Sequence, residues 1–120
     1  MSKDKLYIFD TTLRDGAQTQ GVDFSIDDKE KISSALDKLG VDYVEGGWPG
    51  ANPTDTEFFN KEHNFKSAKL TAFGMTKKNE HSAENDPMLS SLINSKSSSV
   101  CLFGKSWDFQ VKIALGISND

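Results

Sequence analysis

The chain has 120 residues, 36% hydrophobic and 27% charged, with a formal net charge of −4, a composition that excludes a disordered or fibrous polymer and fits one domain-sized core. No window approaches the roughly 18 uninterrupted apolar residues of a membrane helix, and scattered lysines exclude a nucleic-acid footprint. Met1–Lys5 has no apolar run of the secretory type behind it. The single cysteine, Cys101, excludes an internal disulfide and fits a reducing, cytoplasmic setting.

The first element is the apolar run Leu6–Phe9, short, aromatic and β-branched, which reads as a buried strand ending near Asp10. A polar, Gly-bounded loop follows, in which Arg14 and Asp15 stand side by side before Gly16. Arg14 offers a fixed fork of donors for a carboxylate or carbonyl oxygen, and Asp15 offers hard oxygen ligands for a divalent cation. Two readings of this pair are open: a capped, salt-bridged loop, or a ligand site of the kind α/β folds place beyond strand C-termini.

Ser25 is a good N-cap, and Asp27 and Asp28 suit a positive helix end. Ile32, Ala35, Leu36 and Leu39 form one apolar stripe at helical spacing, and Gly40 follows at the expected C′ position. Val41–Glu45 reads as a second strand, ending in Glu45 and the Gly46-Gly47 pair. After a Gly/Pro-punctuated loop, Thr54 or Asp55 is expected to cap a second helix carrying Phe58 and Phe59. Leu70–Met75 reads as a third strand. Pro87 is placed for the first turn of a third helix through Leu89, Leu92 and Ile93, Ser99–Phe103 is a fourth strand, and Asp108 opens a fourth helix. Cys101, inside that last strand, reads as an inert buried thiol rather than a nucleophile.

The strand centres, near Ile8, Val44, Ala72 and Cys101, lie about 28 to 36 residues apart, the βαβ spacing of a parallel sheet covered by helices. Asp10–Asp15, Glu45, Thr76 and Lys105 then fall at or just beyond strand C-termini and share one face. Lys105 fits either simple solvation or contact with an anionic ligand.

The stretch Asp10-Thr11-Thr12-Leu13-Arg14-Asp15-Gly16, with Gln18 after it, resembles the first-strand signature of the metal-dependent α/β-barrel synthases and lyases related to isopropylmalate synthase. That superfamily includes homocitrate synthase, citramalate synthase and HMG-CoA lyase. Glu45–Pro53 and Phe103–Asp108 are similar to the long-form citramalate synthase branch. The resemblance implies an α/β fold, the first four βα units of a (β/α)₈ TIM barrel, with residues 1–120 as its N-terminal half. A complete barrel takes about 250 residues, so an incomplete catalytic domain is expected.

It also implies condensation of acetyl-CoA with a 2-oxo acid, in this branch pyruvate to give citramalate, as a step of branched-chain amino-acid synthesis by a cytoplasmic, homodimeric full-length enzyme. Asp15 matches the family's ligand to a divalent metal (Mg²⁺, Mn²⁺ or Zn²⁺), and Arg14 matches the arginine that steadies the developing alkoxide. Gln18 and Glu45 match substrate-side positions, though a structural role for Glu45 is equally open. The family's His-x-His metal ligands have no counterpart: His63, expected in a helix, and His81, expected in a loop, both read as surface residues. The alternatives are a 2-isopropylmalate or homocitrate synthase, a lyase disfavoured by the Gly46–Gly50 loop, and a noncatalytic half-barrel that binds or dimerises.

Overall fold

The computed structural model describes residues 3–119. Four parallel strands, β1 (Phe9–Asp10), β2 (Tyr43–Gly47), β3 (Lys69–Met75) and β4 (Ser99–Phe103), form one sheet in the order β1-β2-β3-β4. Between and after them come α1 (Ile26–Leu39), α2 (Pro53–Asn60), α3 (Pro87–Asn94) and the short α4 (Asp108–Gln110), which runs into a π-helical turn, Val111–Leu115. Strand order equal to chain order is barrel order, whereas a doubly wound sheet reverses direction at a switch point. The architecture is therefore α/β, four consecutive βα units of a barrel. No helix among the described residues is long and apolar enough to cross a membrane.

Alternation along the strands sorts side chains onto two faces. Leu70 and Ala72 pack toward the helices with Phe58, Phe59 and Leu92, each at most 3% exposed, and Val44 packs with Leu13, Val41 and Ala68 in a second buried cluster beside it. Glu45, Thr71, Phe73 and Cys101 occupy the opposite face, the interior side in a barrel. The helix side is close-packed at Gly46, where an added Cβ would stand 2.7 Å from Phe58 and 3.0 Å from Leu70.

Two of the sequence expectations fail on burial. Leu6, Tyr7, Ile8 and Phe9 are exposed, Leu6 by 84%, and only Phe9–Asp10 is strand. As the edge strand, β1 has a neighbour on one side only. Its backbone is nevertheless tied down, because Ile8 N–H donates to Asp42 (2.8 Å) and the Asp42 and Tyr43 N–H groups donate to Ile8 O (3.0 Å each).

In α1 the stripe is also misplaced. The caps are as expected: Ser25 and Asp28 form a reciprocal capping box, and Gly40 closes the helix in the left-handed region at φ 92°. Ala35 and Leu39 face outward, however, and the buried positions are Lys29, Ser33 and Asp37, with Ile32 and Leu36 half-buried beside them. Three polar residues at i, i+4, i+8 can be buried because two of them find full sets of partners. The Asp37 carboxylate accepts from the backbone N–H groups of Lys66 (2.9 Å), Ser67 (2.8 Å) and Ala68 (2.8 Å), pinning the entry to β3.

The remaining boundaries move slightly. β2 runs two residues further than expected, to Gly47, and Asn52 rather than Thr54 or Asp55 caps α2, with Pro53 in its first turn. His63 lies beyond α2 and is half-buried, its ring 4.3 Å from that of Phe58 and its Nε2 2.7 Å from the Phe58 carbonyl. His81 is likewise half-buried, its Nδ1 3.5 Å from a carboxylate oxygen of Asp86. Aromatic stacking in one case and a buried carboxylate in the other take these histidines off the open surface.

Candidate active site

The loop after β1 is shaped by its own side chains. Asp10 accepts from the Thr12 N–H (3.0 Å) and hydroxyl (3.1 Å), an Asx turn, and the Thr11 carbonyl collects the N–H groups of Arg14, Asp15 and Gly16. Leu13 is completely buried, so the next residue, Arg14, is delivered to the interior face of the sheet.

There the Arg14 Nε–H donates to Glu45 Oε1 at 2.5 Å. Glu45, from the middle of β2, is 1% exposed, while the Arg14 side chain is 23% exposed. The guanidinium lies over the Phe73 ring, 4.2 Å from its centroid, and Phe73 in turn meets Trp48 edge-on at 5.3 Å. A buried carboxylate on one edge and an aromatic plane on one face leave a planar cation with little freedom to turn. Its Nη1 is 3.4 Å from Asp15 Oδ1, and its Nη2 makes no hydrogen bond to any described residue. The result is a fixed, partly accessible donor edge at the C-terminal end of a parallel sheet.

Cys101 of β4 stands next to this pair. Burial pushes its thiol above the ordinary value, and the negative charge of Glu45 and a hydrogen bond to it push the same way. The thiol is half-buried rather than buried. A thiol held protonated fits the expected inertness.

Arg14 and Glu45 are thus brought together, with Asp15 at the margin. Asp15 is 61% exposed and precedes the 3₁₀ turn Gly16–Gln18. Gln18 is exposed and lines, with Arg14, Phe24, Trp48 and Asn52, a cleft of about 380 Å³ between the β1 and β2 loops. Thr76 directly follows β3, and Lys105, half-buried, lies two residues past β4.

A divalent metal is implied by the resemblance, and the donor set tests it. Hard cations recruit several oxygen ligands. Among the described residues no group of three or more His, Cys, Asp or Glu side chains converges, and Asp15 stands as a single accessible carboxylate beside a cation. These residues do not make a metal centre by themselves.

Sequence reasoning passed over three residues here. Phe73 looks like any strand aromatic, and Trp48 like part of a turn. Asp55 was read only as a helix cap, yet its carboxylate accepts from the Trp48 N–H (2.9 Å) and Asn52 Nδ2 (3.0 Å) and pairs with Lys29 at 2.5 Å. The available signal was Gly47, whose φ of 142° and closeness to Asp55 (2.5 Å from an added Cβ to the carboxyl carbon) leave no room for a side chain.

Residues 5–120 match the family described as HMGL-like. The chain belongs to the HMGL-like family. It is 53% identical over 114 residues, 93% of its length, to an (R)-citramalate synthase of Aquifex aeolicus, covering 22% of that protein. It is 49% identical over 113 residues, 92% of its length, to an (R)-citramalate synthase of Sulfolobus acidocaldarius, again covering 22%. A 2-isopropylmalate synthase 1 of Caldanaerobacter subterraneus is 35% identical over the whole chain and 30% covered. The chain therefore spans about a fifth of the length of the (R)-citramalate synthases it matches.

Proposed function

We propose that this chain forms the N-terminal part of the catalytic barrel of an acyltransferase that joins the acetyl group of acetyl-CoA to a 2-oxo acid, with pyruvate as acceptor and citramalate as product. The Arg14–Glu45 pair carries this reading. When the acetyl methyl carbon, stripped of a proton, bonds to the keto carbon, the keto oxygen becomes an alkoxide. A guanidinium already locked by Glu45 and Phe73 presents donors to that oxygen, or to the neighbouring carboxylate, without reorganising. Water then cleaves the thioester, giving the hydroxy diacid and free CoA.

Glu45 is committed to Arg14, so its role is to orient rather than to take the proton. Gln18 lines the cleft beside Arg14 and belongs to the substrate side of the site. Asp15, exposed at the same rim, is the carboxylate this segment would contribute to a divalent cation whose other ligands lie outside residues 3–119. The reading places the full-length enzyme in the cytoplasm as a homodimer acting in branched-chain amino-acid synthesis. The several (R)-citramalate synthases at 44–53% identity over more than nine-tenths of the chain favour pyruvate over the bulkier acceptors of 2-isopropylmalate synthases.

The test is a chimera in which this chain replaces the matching 114-residue segment of the Aquifex aeolicus (R)-citramalate synthase. It is expected to release CoA from acetyl-CoA with pyruvate, faster than with 3-methyl-2-oxobutanoate. Arg14→Ala in that chimera should lower kcat about 10²–10³-fold, the usual loss for one oxyanion donor. A folded chimera without acetyl transfer overturns the function, and near-normal kcat in Arg14→Ala removes Arg14 from the chemistry.

A further inference from the structure

Lys29 is 2% exposed, an unusual place for a lysine. Its ammonium has three protons and, within 3.0 Å, three acceptors. These are the Leu13 carbonyl (3.0 Å), the Gly46 carbonyl (2.7 Å) and Asp55 Oδ1 (2.5 Å). Each carbonyl belongs to the immediate neighbour of a site residue: Leu13 precedes Arg14, and Gly46 follows Glu45. The two come from different elements, the β1 loop and β2, and no other described side chain bonds to both. Asp55 is itself fixed by the Trp48 N–H and Asn52 Nδ2.

The β2–β3 pairing shows why Gly46 O is free for this. Glu45 pairs with Thr71 and Gly47 with Ala72, so Gly46 is an extra residue in the ladder. A bulge takes that residue out of regular strand pairing, and Lys29 bonds its carbonyl from the helix side.

We infer that Lys29 is a positioning residue: by clamping the Leu13 and Gly46 carbonyls it sets the distance and orientation at which Arg14 meets Glu45. What that arrangement is for rests on the proposed acyl-transfer reading; the clamp itself does not. Lys29 bonds neither the Arg14 guanidinium nor the Glu45 carboxylate, its ammonium being taken up by Leu13 O, Gly46 O and Asp55. It acts through the backbone of the β1 loop and of β2, and three charge-assisted bonds make it stiffer than a lone carbonyl contact.

Arg14 is the only arginine in the chain, so its Nε–H gives a single, self-assigning signal in a ¹⁵N–¹H spectrum of the 120-residue protein. Bonded to a buried carboxylate, that proton is expected to be displaced downfield and slow to exchange. Lys29→Met keeps the aliphatic stem and removes all three donors. It should move the signal toward that of free arginine and speed its exchange about tenfold or more, the loss of one charge-assisted hydrogen bond. Glu45→Leu, which removes the acceptor while keeping most of the volume, marks the fully released position. Leu92→Ala, which loosens the core from α3, lowers stability and should leave the signal in place. An unmoved Arg14 signal in a folded Lys29→Met, judged from amide dispersion in the same spectrum, overturns the assignment. Lys29→Gln, which loses the charge and keeps two of the three N–H donors, is the gentler variant. Failure of both to fold makes Lys29 a folding residue only and also overturns it. A released signal in a protein whose chimera transfers no acetyl group keeps the clamp and rejects the acyl-transfer reading.

Discussion

Two regions of the molecule use the same apolar residues to opposite effect. In the middle of the sheet, Phe58, Phe59, Leu70, Ala72 and Leu92 are buried against one another. On the segment leading into β1, on β4 and on the π-helical turn after α4, Leu6, Ile8, Val100, Leu102, Ile113 and Leu115 are between 44% and 84% exposed. Hydrophobicity does not distinguish them. What differs is whether a second layer lies across the strand: β2 and β3 have strands on both sides and α2 and α3 above, whereas β1 and β4 are edges. Stability therefore resides in the central units, which are also the units that hold Glu45 and Phe73.

The comparison breaks most visibly at Phe58. It is completely buried, edge-on to Phe59 at 5.4 Å, and covers Gly46. Phe58→Ala is expected to cost about 3–5 kcal/mol, removing an aromatic ring from a close-packed core. Urea unfolding of the two proteins measures it; a loss comparable to that at an edge position would show the central core to be loosely packed.

A smaller effect comes from acid. The Asp37 carboxyl is held below its ordinary value by the Ala68 backbone N–H first and by those of Lys66 and Ser67. Asp86 is held down in the same way by the Lys78 N–H and those of Leu89 and Met88. A folded-state pKa below the unfolded one adds stability that is present above the unfolded value, near 3.8, and lost as pH falls through the folded one. Urea midpoints recorded from about pH 6 down to about pH 2 should fall steeply at the acid end. Asp37→Asn should start lower and fall less. Parallel curves would show that Asp37 titrates alike in both states.

The smallest effect belongs to the edge. Leu102→Ala, at a side chain 55% exposed, should change stability by no more than about 0.5 kcal/mol. The same urea series tests it, and a loss near that of Phe58→Ala would mean that β4 is covered in solution.

This division explains what could be read from the sequence. Local signals were legible because their partners are near in the chain: Ser25 with Asp28, Gly40 after Leu39, Pro87 in the first turn of α3. The pairing of Arg14 with Glu45, 31 positions on, was legible only as far as a shared face at the strand C-termini. Burial of β1 was misread because an edge strand and a central strand share composition, and only neighbours in space tell them apart. Lys29 was passed over for a related reason. A lysine in the second turn of an amphipathic helix is ordinarily solvated, and its burial depends on three acceptors from Leu13, Gly46 and Asp55 that no local pattern brings together.

The order β1-β2-β3-β4 also has a meaning in time. Each new strand finds its first partner in the one made just before it, and the starts of β2 and β3, Tyr43 and Lys69, are 26 positions apart. A ribosome adding about 5–20 residues per second leaves each unit on the order of a second or more before the next emerges. The apolar edge left by each new strand is the docking site of the next, so a chain folding as it is made can extend its sheet one unit at a time. The Arg14–Glu45 pair, spanning only β1 and β2, is among the first tertiary contacts such a chain can form.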